Sequence, residues 1–182
     1  MRGCVAVGTF SQIMVSLPLL VCGLIFLPVL YTDLRARVIP NNITIPAILC
    51  GLFFHLCHSG LHQGSLFAVK GLVVGAALVI IPFLLGGMGG GDVKLLAALG
   101  AWLGAFGVLH VFFYGATIGA LIALALVVTK KHRLRLRSVW NDIVCFIFTG
   151  KRLTVSGDKD VFPYTVPIAM GFLIYAVWGG IV

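Results

Sequence analysis

The sequence contains very few charged residues. Only 10% of its 182 residues are charged, whereas a typical soluble domain has about 25%, and there is no glutamate. At the same time 60% of the residues are hydrophobic, and the mean hydropathy is +1.14. This composition excludes a soluble globular protein, because the chain cannot cover its surface with polar groups. We expect one integral-membrane domain over residues 1–182.

Paired cysteines are missing as well. The five cysteines form no CxxC pair, so the sequence offers no zinc-binding framework. His55, His58 and His62 share one helix face, but no carboxylate lies near them in the sequence. We interpret these histidines as a polar edge at the membrane surface, with metal binding as the alternative. The sequence predicts neither a metal nor a cofactor.

The hydrophobic runs predict an all-α membrane protein, a bundle of about six transmembrane helices. The spans fall near residues 13–31, 42–58, 66–85 and 162–182, and the stretch 93–129 divides near 104–107 into two more. An Asn-Asn pair, Asn41 and Asn42, opens the second span and suits helix capping. Between the fifth and sixth spans, residues 130–148 mix cations with apolar side chains, so we expect a basic interfacial segment there.

The net charge of +8 indicates an orientation. With six spans, most of the 13 basic residues fall on one side of the membrane, which the positive-inside rule assigns to the cytoplasm. Both termini are then expected outside. In a soluble protein this charge would suggest nucleic acid. Here we predict no nucleic-acid partner, and we expect residues 130–160 to contact anionic lipid or substrate.

The acidic residues are five aspartates, of which two stand apart from the last basic loop. Asp33 follows the first span and Asp92 precedes the fourth, so the two intervening spans return the chain to the same membrane face. Acids at a membrane edge normally face the interior of a helix bundle. Taken alone, each aspartate could serve a helix terminus or pair with a nearby arginine. Taken together, they suggest one shared site.

Two facing carboxyl groups are suited to hydrolysis. Like charges held close do not both ionise readily, so the pair shares a proton. The ionised member takes a proton from water, the protonated member donates to a carbonyl oxygen, and the water attacks that carbonyl. Beside Asp92, Gly89, Gly90 and Gly91 lack side chains, so another backbone could approach closely. We predict that this loop admits a substrate backbone; a simple hinge between helices is the alternative.

Three segments carry a family resemblance. "DLRARVIPN", "GGGDVKLLAALGAWLG" and "FPYTVPIAMG" resemble, in order and spacing, the first aspartate motif, the GxGD region and the Pro-Tyr segment of the type IV prepilin peptidases. The resemblance implies that Asp33 and Asp92 are the catalytic pair of an aspartic endopeptidase. It also matches Lys94 to the lysine after the GxGD motif, and we expect Lys94, Arg35 and Arg37 to tune the charge of the site.

The resemblance further implies a substrate and a location. Family members remove the leader from type IV prepilins or pseudopilins at the cytoplasmic face of the bacterial inner membrane. Larger members carry a cytoplasmic insertion with paired cysteines and methyltransferase activity, whereas only a short loop, 34–41, separates Asp33 from the second span here. The chain therefore resembles the short, peptidase-only branch associated with tight-adherence (Flp-type) pili. A small proton-coupled transporter and a non-catalytic pilus assembly factor are the alternative functions.

Overall fold

The computed structural model describes residues 2–84, 88–128 and 164–179, and the elements in these ranges are all helical. The four helices are α1 (Arg2–Ala36), α2 (Asn41–Leu84), α3 (Gly90–Val128) and α4 (Thr165–Ile174), and α4 continues into a π-helical turn at Tyr175–Gly179. The all-α prediction is confirmed for these ranges. The predicted basic segment at 130–148, with the rest of the loop to residue 160, lies outside the described residues.

Among the described residues, three helical stretches are long and apolar enough to cross a membrane. They are Ser16–Ala36, Asn41–Leu84 and Gly90–Ile122, and a shorter apolar helix covers Thr165–Trp178. Large apolar side chains such as Leu20, Leu24 and Leu27 are largely exposed, which suits contact with lipid rather than water. The chain is therefore an integral membrane protein, and the number of six spans stays a prediction.

Glycines with left-handed backbone interrupt the two longest helices. Gly60 in α2 has φ 80° and ψ 167°, and Gly104 in α3 has φ 73° and ψ 179°. Only glycine adopts such positive φ values readily. The chain folds back at Gly60, since a side chain at Gly64 would overlap the carbonyl of His55. The break at Gly104 falls at the start of the region, 104–107, where two spans were predicted to separate.

The most extensive packing joins α2 and α3. Gly75 lies against the backbone of Leu96, and Gly71 lies against that of Gly100, so that residue numbers rise along one helix as they fall along the other. A side chain at either glycine of α2 would overlap the facing carbonyl. Small residues at a helix interface let two backbones approach closely, which is a common basis of packing within membranes. The two helices therefore form a tightly packed antiparallel pair.

Trp102 of α3 contacts α2 and stabilises the packing of the two helices. Its indole N–H donates to the carbonyl of Ala47 at 2.8 Å, and its ring lies against Gly51, where an added Cβ would be 3.0 Å from ring atoms. The carbonyl of Trp102 is in turn 3.0 Å from Nε2 of His55. The tryptophan is 5% exposed. A buried indole N–H needs such an acceptor, so these contacts set the register of α2 against α3.

The remaining helices attach through smaller surfaces. Phe26 of α1 lies on Phe172 of α4, with ring centroids 5.1 Å apart. On α3, Gly115 lies against the backbone of Pro167 at the start of α4. The direct contacts of α1 with α2 and α3 are sparse compared with those between α2 and α3. Helix α1 therefore lies farther from the pair by its backbone and joins the core through the side chains of Cys22, Phe26 and Val29.

Candidate active site

Asp33 lies in the last turn of α1. The helix continues to Ala36, so the connection to α2 is only residues 37–40 and is shorter than the predicted loop 34–41. Arg37 has a left-handed φ of 53°, and its N–H donates to the carbonyl of Asp33 at 2.9 Å. This bond closes the helix and turns the chain towards α2. The Asp33 side chain is 9% exposed, and its Oδ2 has no hydrogen-bond partner among the described residues.

Asp92 lies in the first turn of α3 and closes that end of the helix. Its Oδ2 accepts a hydrogen bond from the N–H of Gly89 at 3.3 Å, and its own N–H donates to the carbonyl of Gly89 at 3.2 Å. The exchange resembles a capping box, in which a side chain satisfies a free donor at the helix start. The aspartate is 7% exposed. Asp92 therefore caps the start of α3, as expected for this aspartate taken alone, and the same hydrogen bonds fix the orientation of its carboxyl group.

One open cavity of about 420 Å³ brings the two aspartates together. Its walls are the connection between α1 and α2 on one side and the chain around the start of α3 on the other. Asp33 and Asp92 both line this cavity, and they are close enough for their charges to interact. The pairing expected from the order of spans is therefore present in the geometry of the described residues.

The three glycines before Asp92 also line the cavity, but they differ in what surrounds them. A Cβ at Gly91 would lie 2.9 Å from Cβ of Ile39, which is closer than real Cβ contacts allow. A Cβ at Gly90 would be 3.5 Å from the ring of Phe83, and one at Gly89 would meet only Oδ2 of Asp92 and its own loop, at 3.6 Å or more. Gly91 is therefore required by packing within the chain, whereas Gly89 and Gly90 leave space at the cavity.

The three basic residues of the predicted site occupy different places. Arg37 and Lys94 line the cavity. Arg35 is not among the lining residues, since its guanidinium donates to the hydroxyl of Tyr31 at 2.5 Å and lies 5.9 Å from the centre of that ring. The geometry thus brings two of the three cations to the aspartates and directs Arg35 along α1.

Lys94 reaches across the cavity mouth to α2. Its Nζ donates to Oδ1 of Asn41 at 2.7 Å. The first turn of α2 is closed by the carbonyl of Pro40, which accepts the N–H groups of Ile43 and Thr44 at 3.2 and 3.4 Å. The side chain of Asn41 is therefore engaged with α3, where the sequence had suggested a helix cap.

Tyr164 is a residue near the site that sequence reasoning did not place there. It directly precedes α4, and burial raises the pKa of its hydroxyl, with the charge of Asp92 raising it further. The hydroxyl therefore lies within electrostatic reach of Asp92. In the sequence, the Pro-Tyr pair of "FPYTVPIAMG" identified this segment by its family resemblance. Nothing in the sequence predicted that the segment lies near the aspartates.

The histidines lie elsewhere. His55 is used in the contact with the Trp102 carbonyl, and His58 stacks on Phe54 with ring centroids 5.9 Å apart. The part of the chain that the structure describes contains no group of three or more histidine, cysteine or acidic side chains that could hold a metal ion. Within that part, the chemistry available at the cavity is that of two carboxyl groups with neighbouring cations and a glycine loop.

This arrangement defines an integral membrane protein with a pair of buried aspartates in a cavity at the ends of its helices. A model of the type IV leader peptidase family matches residues 18–124, which include both aspartates and the glycine loop. The chain belongs to the type IV leader peptidase family. No solved structure matches it significantly.

Curated relatives point in the same direction. The chain is similar to proteins named prepilin leader peptidase/N-methyltransferase from Aeromonas hydrophila, at 34% identity over 56% of this chain and 37% of the relative, and from Neisseria gonorrhoeae, at 32% identity over 70% and 42%. The corresponding protein of Burkholderia pseudomallei (strain 1026b) is 36% identical over 57% and 34%. The aligned part is thus about a third to two fifths of the length of these relatives.

Proposed function

We propose that this protein is an aspartic endopeptidase that removes the leader peptide from type IV prepilins or pseudopilins of the Flp type. The observation that carries the proposal is that Asp33 and Asp92, which are far apart in the sequence, line one cavity and interact electrostatically. Membership of the type IV leader peptidase family and the names of the curated relatives support the same activity.

The cleavage follows from the two carboxyl groups. The ionised aspartate takes a proton from a water molecule in the cavity, and the protonated aspartate donates to the oxygen of the scissile carbonyl. The water then attacks that carbonyl carbon, and the proton taken from it passes to the leaving amine. Oδ2 of Asp33 is buried and has no hydrogen-bond partner among the described residues, so the fold itself does not use its hydrogen-bonding capacity.

In this scheme the glycine loop admits the substrate, and the cations balance the charge of the site. Gly89 and Gly90 leave space at the cavity wall, so an extended backbone can lie beside Asp92. Arg37 and Lys94 line the same cavity and keep its net charge from becoming strongly negative when an aspartate ionises. The connection between α1 and α2 is only residues 37–40, as short as the resemblance to the peptidase-only branch implies.

The location we propose is the bacterial inner membrane, with six spans, both termini outside and the site near the cytoplasmic face. Helix α2 has 44 residues, about 66 Å of helix, which is twice the thickness of a hydrocarbon core. The break at Gly60 divides α2 into two lengths suited to one crossing each, and the break at Gly104 divides α3 into a shorter part, 90–103, and a longer part, 105–128. Most of the basic residues then face the cytoplasm, and we expect residues 130–160 to contact anionic lipid or substrate there.

Co-expression with a Flp-type prepilin tests the activity directly. Wild type should convert the prepilin to a shorter product on a gel. Asp33→Asn and Asp92→Asn should each abolish conversion while the protein stays in the membrane fraction at its normal level. Lys70→Met removes a charge at an exposed position that does not line the cavity and should cleave normally.

The outcomes separate the candidate functions. If either Asp33→Asn or Asp92→Asn cleaves at the normal rate, the two-aspartate mechanism is wrong. If wild type does not cleave, and its vesicles instead show a proton- or ion-dependent flux that both variants lose, the transporter is the better explanation.

A further inference from the structure

The two aspartates belong to parts of the fold whose backbones make few direct contacts. Asp33 is at the end of α1, and the contacts of α1 with α2 and α3 are sparse among the described residues. Asp92 is at the start of α3, within the tightly packed α2–α3 pair. Besides the core contacts of α1 through Cys22, Phe26 and Val29, the contacts between the connection at residues 37–41 and the chain at 89–94 therefore bear on the separation of the two carboxyl groups.

Two contacts between these segments are defined by the described residues. Gly91 lies against Ile39, where not even a methyl group fits. The hydrogen bond from Nζ of Lys94 to Oδ1 of Asn41 measures 2.7 Å and links residues that are 53 positions apart. The first contact is a steric stop that prevents closer approach. The second is an attraction to a cation that opposes separation.

We propose that the Lys94–Asn41 hydrogen bond is a positioning tie that holds the two aspartates at reacting distance. This inference rests on the proposed peptidase activity and adds a role for Asn41. It also differs from charge tuning by Lys94. A tie needs its donor and its acceptor equally, whereas charge tuning needs only the cation. Neither residue touches the reacting atoms in this role, so both are positioning residues.

Cleavage kinetics with the purified full-length protein in lipid vesicles separate the two roles. Lys94→Met and Asn41→Leu each remove one half of the tie. Each should lower kcat by about tenfold or more, since a misplacement of about 1 Å costs up to ~10²-fold. KM should stay within about twofold, because substrate contacts are unchanged. The double variant should be no slower than the slower single variant, as expected for one shared interaction.

Conservative and distant substitutions provide the controls. Asn41→Asp keeps an acceptor for Lys94 and should keep kcat within about threefold of wild type. Lys70→Met and Asn42→Leu remove the same groups at exposed positions that do not line the cavity, and both should cleave normally. Near-normal cleavage by Asn41→Leu would overturn the tie and leave Lys94 acting through its charge. The tie would also be overturned if the factor by which the double variant lowers kcat equals the product of the two single-variant factors.

A second measurement does not depend on catalysis. The native cysteines are first replaced by alanine, and nitroxide labels are then attached at Leu34→Cys on α1 and Phe113→Cys on α3. Both positions are exposed. Pulsed electron spin resonance then reports the distance between α1 and α3. Lys94→Met should broaden the distance distribution, and Lys70→Met should not. An equally narrow distribution in both would overturn the tie. If wild type fails to cleave while Lys94→Met broadens the distribution, the peptidase proposal fails and the tie stands.

Discussion

The contact between Gly91 and Ile39 makes a sharp prediction about a single methyl group. In Gly91→Ala the new Cβ would lie 2.9 Å from Cβ, 3.0 Å from Cγ1 and 3.2 Å from Cδ1 of Ile39. Carbon atoms in contact prefer about 3.5–4.0 Å, so the two segments must separate by roughly 0.5–1 Å. Rotation of the isoleucine does not relieve the overlap, because its Cβ is fixed to the backbone and the residue is buried at 8% exposure.

The expected loss follows from this displacement. Overpacking of a well-packed site costs about 1–3 kcal/mol, so the free energy of unfolding in detergent micelles should fall by that amount. The same movement shifts Asp92 away from Asp33, and misplacement by about 1 Å can cost ~10²-fold in rate. Prepilin cleavage by Gly91→Ala should therefore fall by roughly 10- to 100-fold. Titration of the same samples with sodium dodecyl sulfate measures the free energy of unfolding.

Gly90→Ala is the matched control for stability. It adds the same methyl group one residue earlier, where the nearest side-chain atom would be 3.5 Å away. Its unfolding free energy should stay within about 0.5 kcal/mol of wild type. The reasoning is refuted if Gly91→Ala is as stable as Gly90→Ala and cleaves like wild type. Adding Ile39→Ala to Gly91→Ala should return part of the lost stability in a double-mutant cycle, and full additivity would show that the two residues are not in contact.

Two further predictions concern the helices that support the site. Gly104→Ala should lower the free energy of unfolding more than Gly60→Ala. Both variants add a side chain at positive φ, which costs about 1–2 kcal/mol, but only the new Cβ at Gly104 also overlaps the ring of Phe67. Equal losses of unfolding free energy in the same titration would contradict the overlap. Trp102→Phe should lose about 1 kcal/mol with its hydrogen bond to the Ala47 carbonyl, and an unchanged unfolding midpoint would show that this bond contributes nothing.

The meeting of Asp33 and Asp92 could be predicted because it depends on topology and not on detailed packing. Hydropathy placed each aspartate at a helix end, and the two stretches between them, 42–58 and 66–85, returned the chain to the same face. In the structure these stretches are the two parts of α2 on either side of Gly60. That argument needed only the order of the segments and the cost of exposing acids to lipid, so errors of a few residues in the boundaries did not affect it.

The contacts that set the geometry of the site could not be predicted in the same way. A glycine beside an aspartate does not reveal which neighbour fills the missing side chain, so the filling of Gly91 by Ile39 was invisible in the sequence. Asn41 carried a plausible local use as a helix cap, and nothing in the sequence connected it to Lys94. Such contacts depend on how α2 is rotated against α3, and that rotation follows from small residues such as Gly71 and Gly100 meeting across the interface.

The burial of Asp33 is itself an argument for the site. A buried polar atom without a partner costs on the order of 1–3 kcal/mol, and Oδ2 of Asp33 is such an atom among the described residues. An alanine at this position would remove both the charge and that cost, whereas an asparagine would keep a buried polar group. Exceptions of this kind to the usual rules of folding concentrate at functional sites. At Asp33 the exception coincides with a cavity, a second carboxyl group and a glycine loop, which is the combination that hydrolysis by activated water requires.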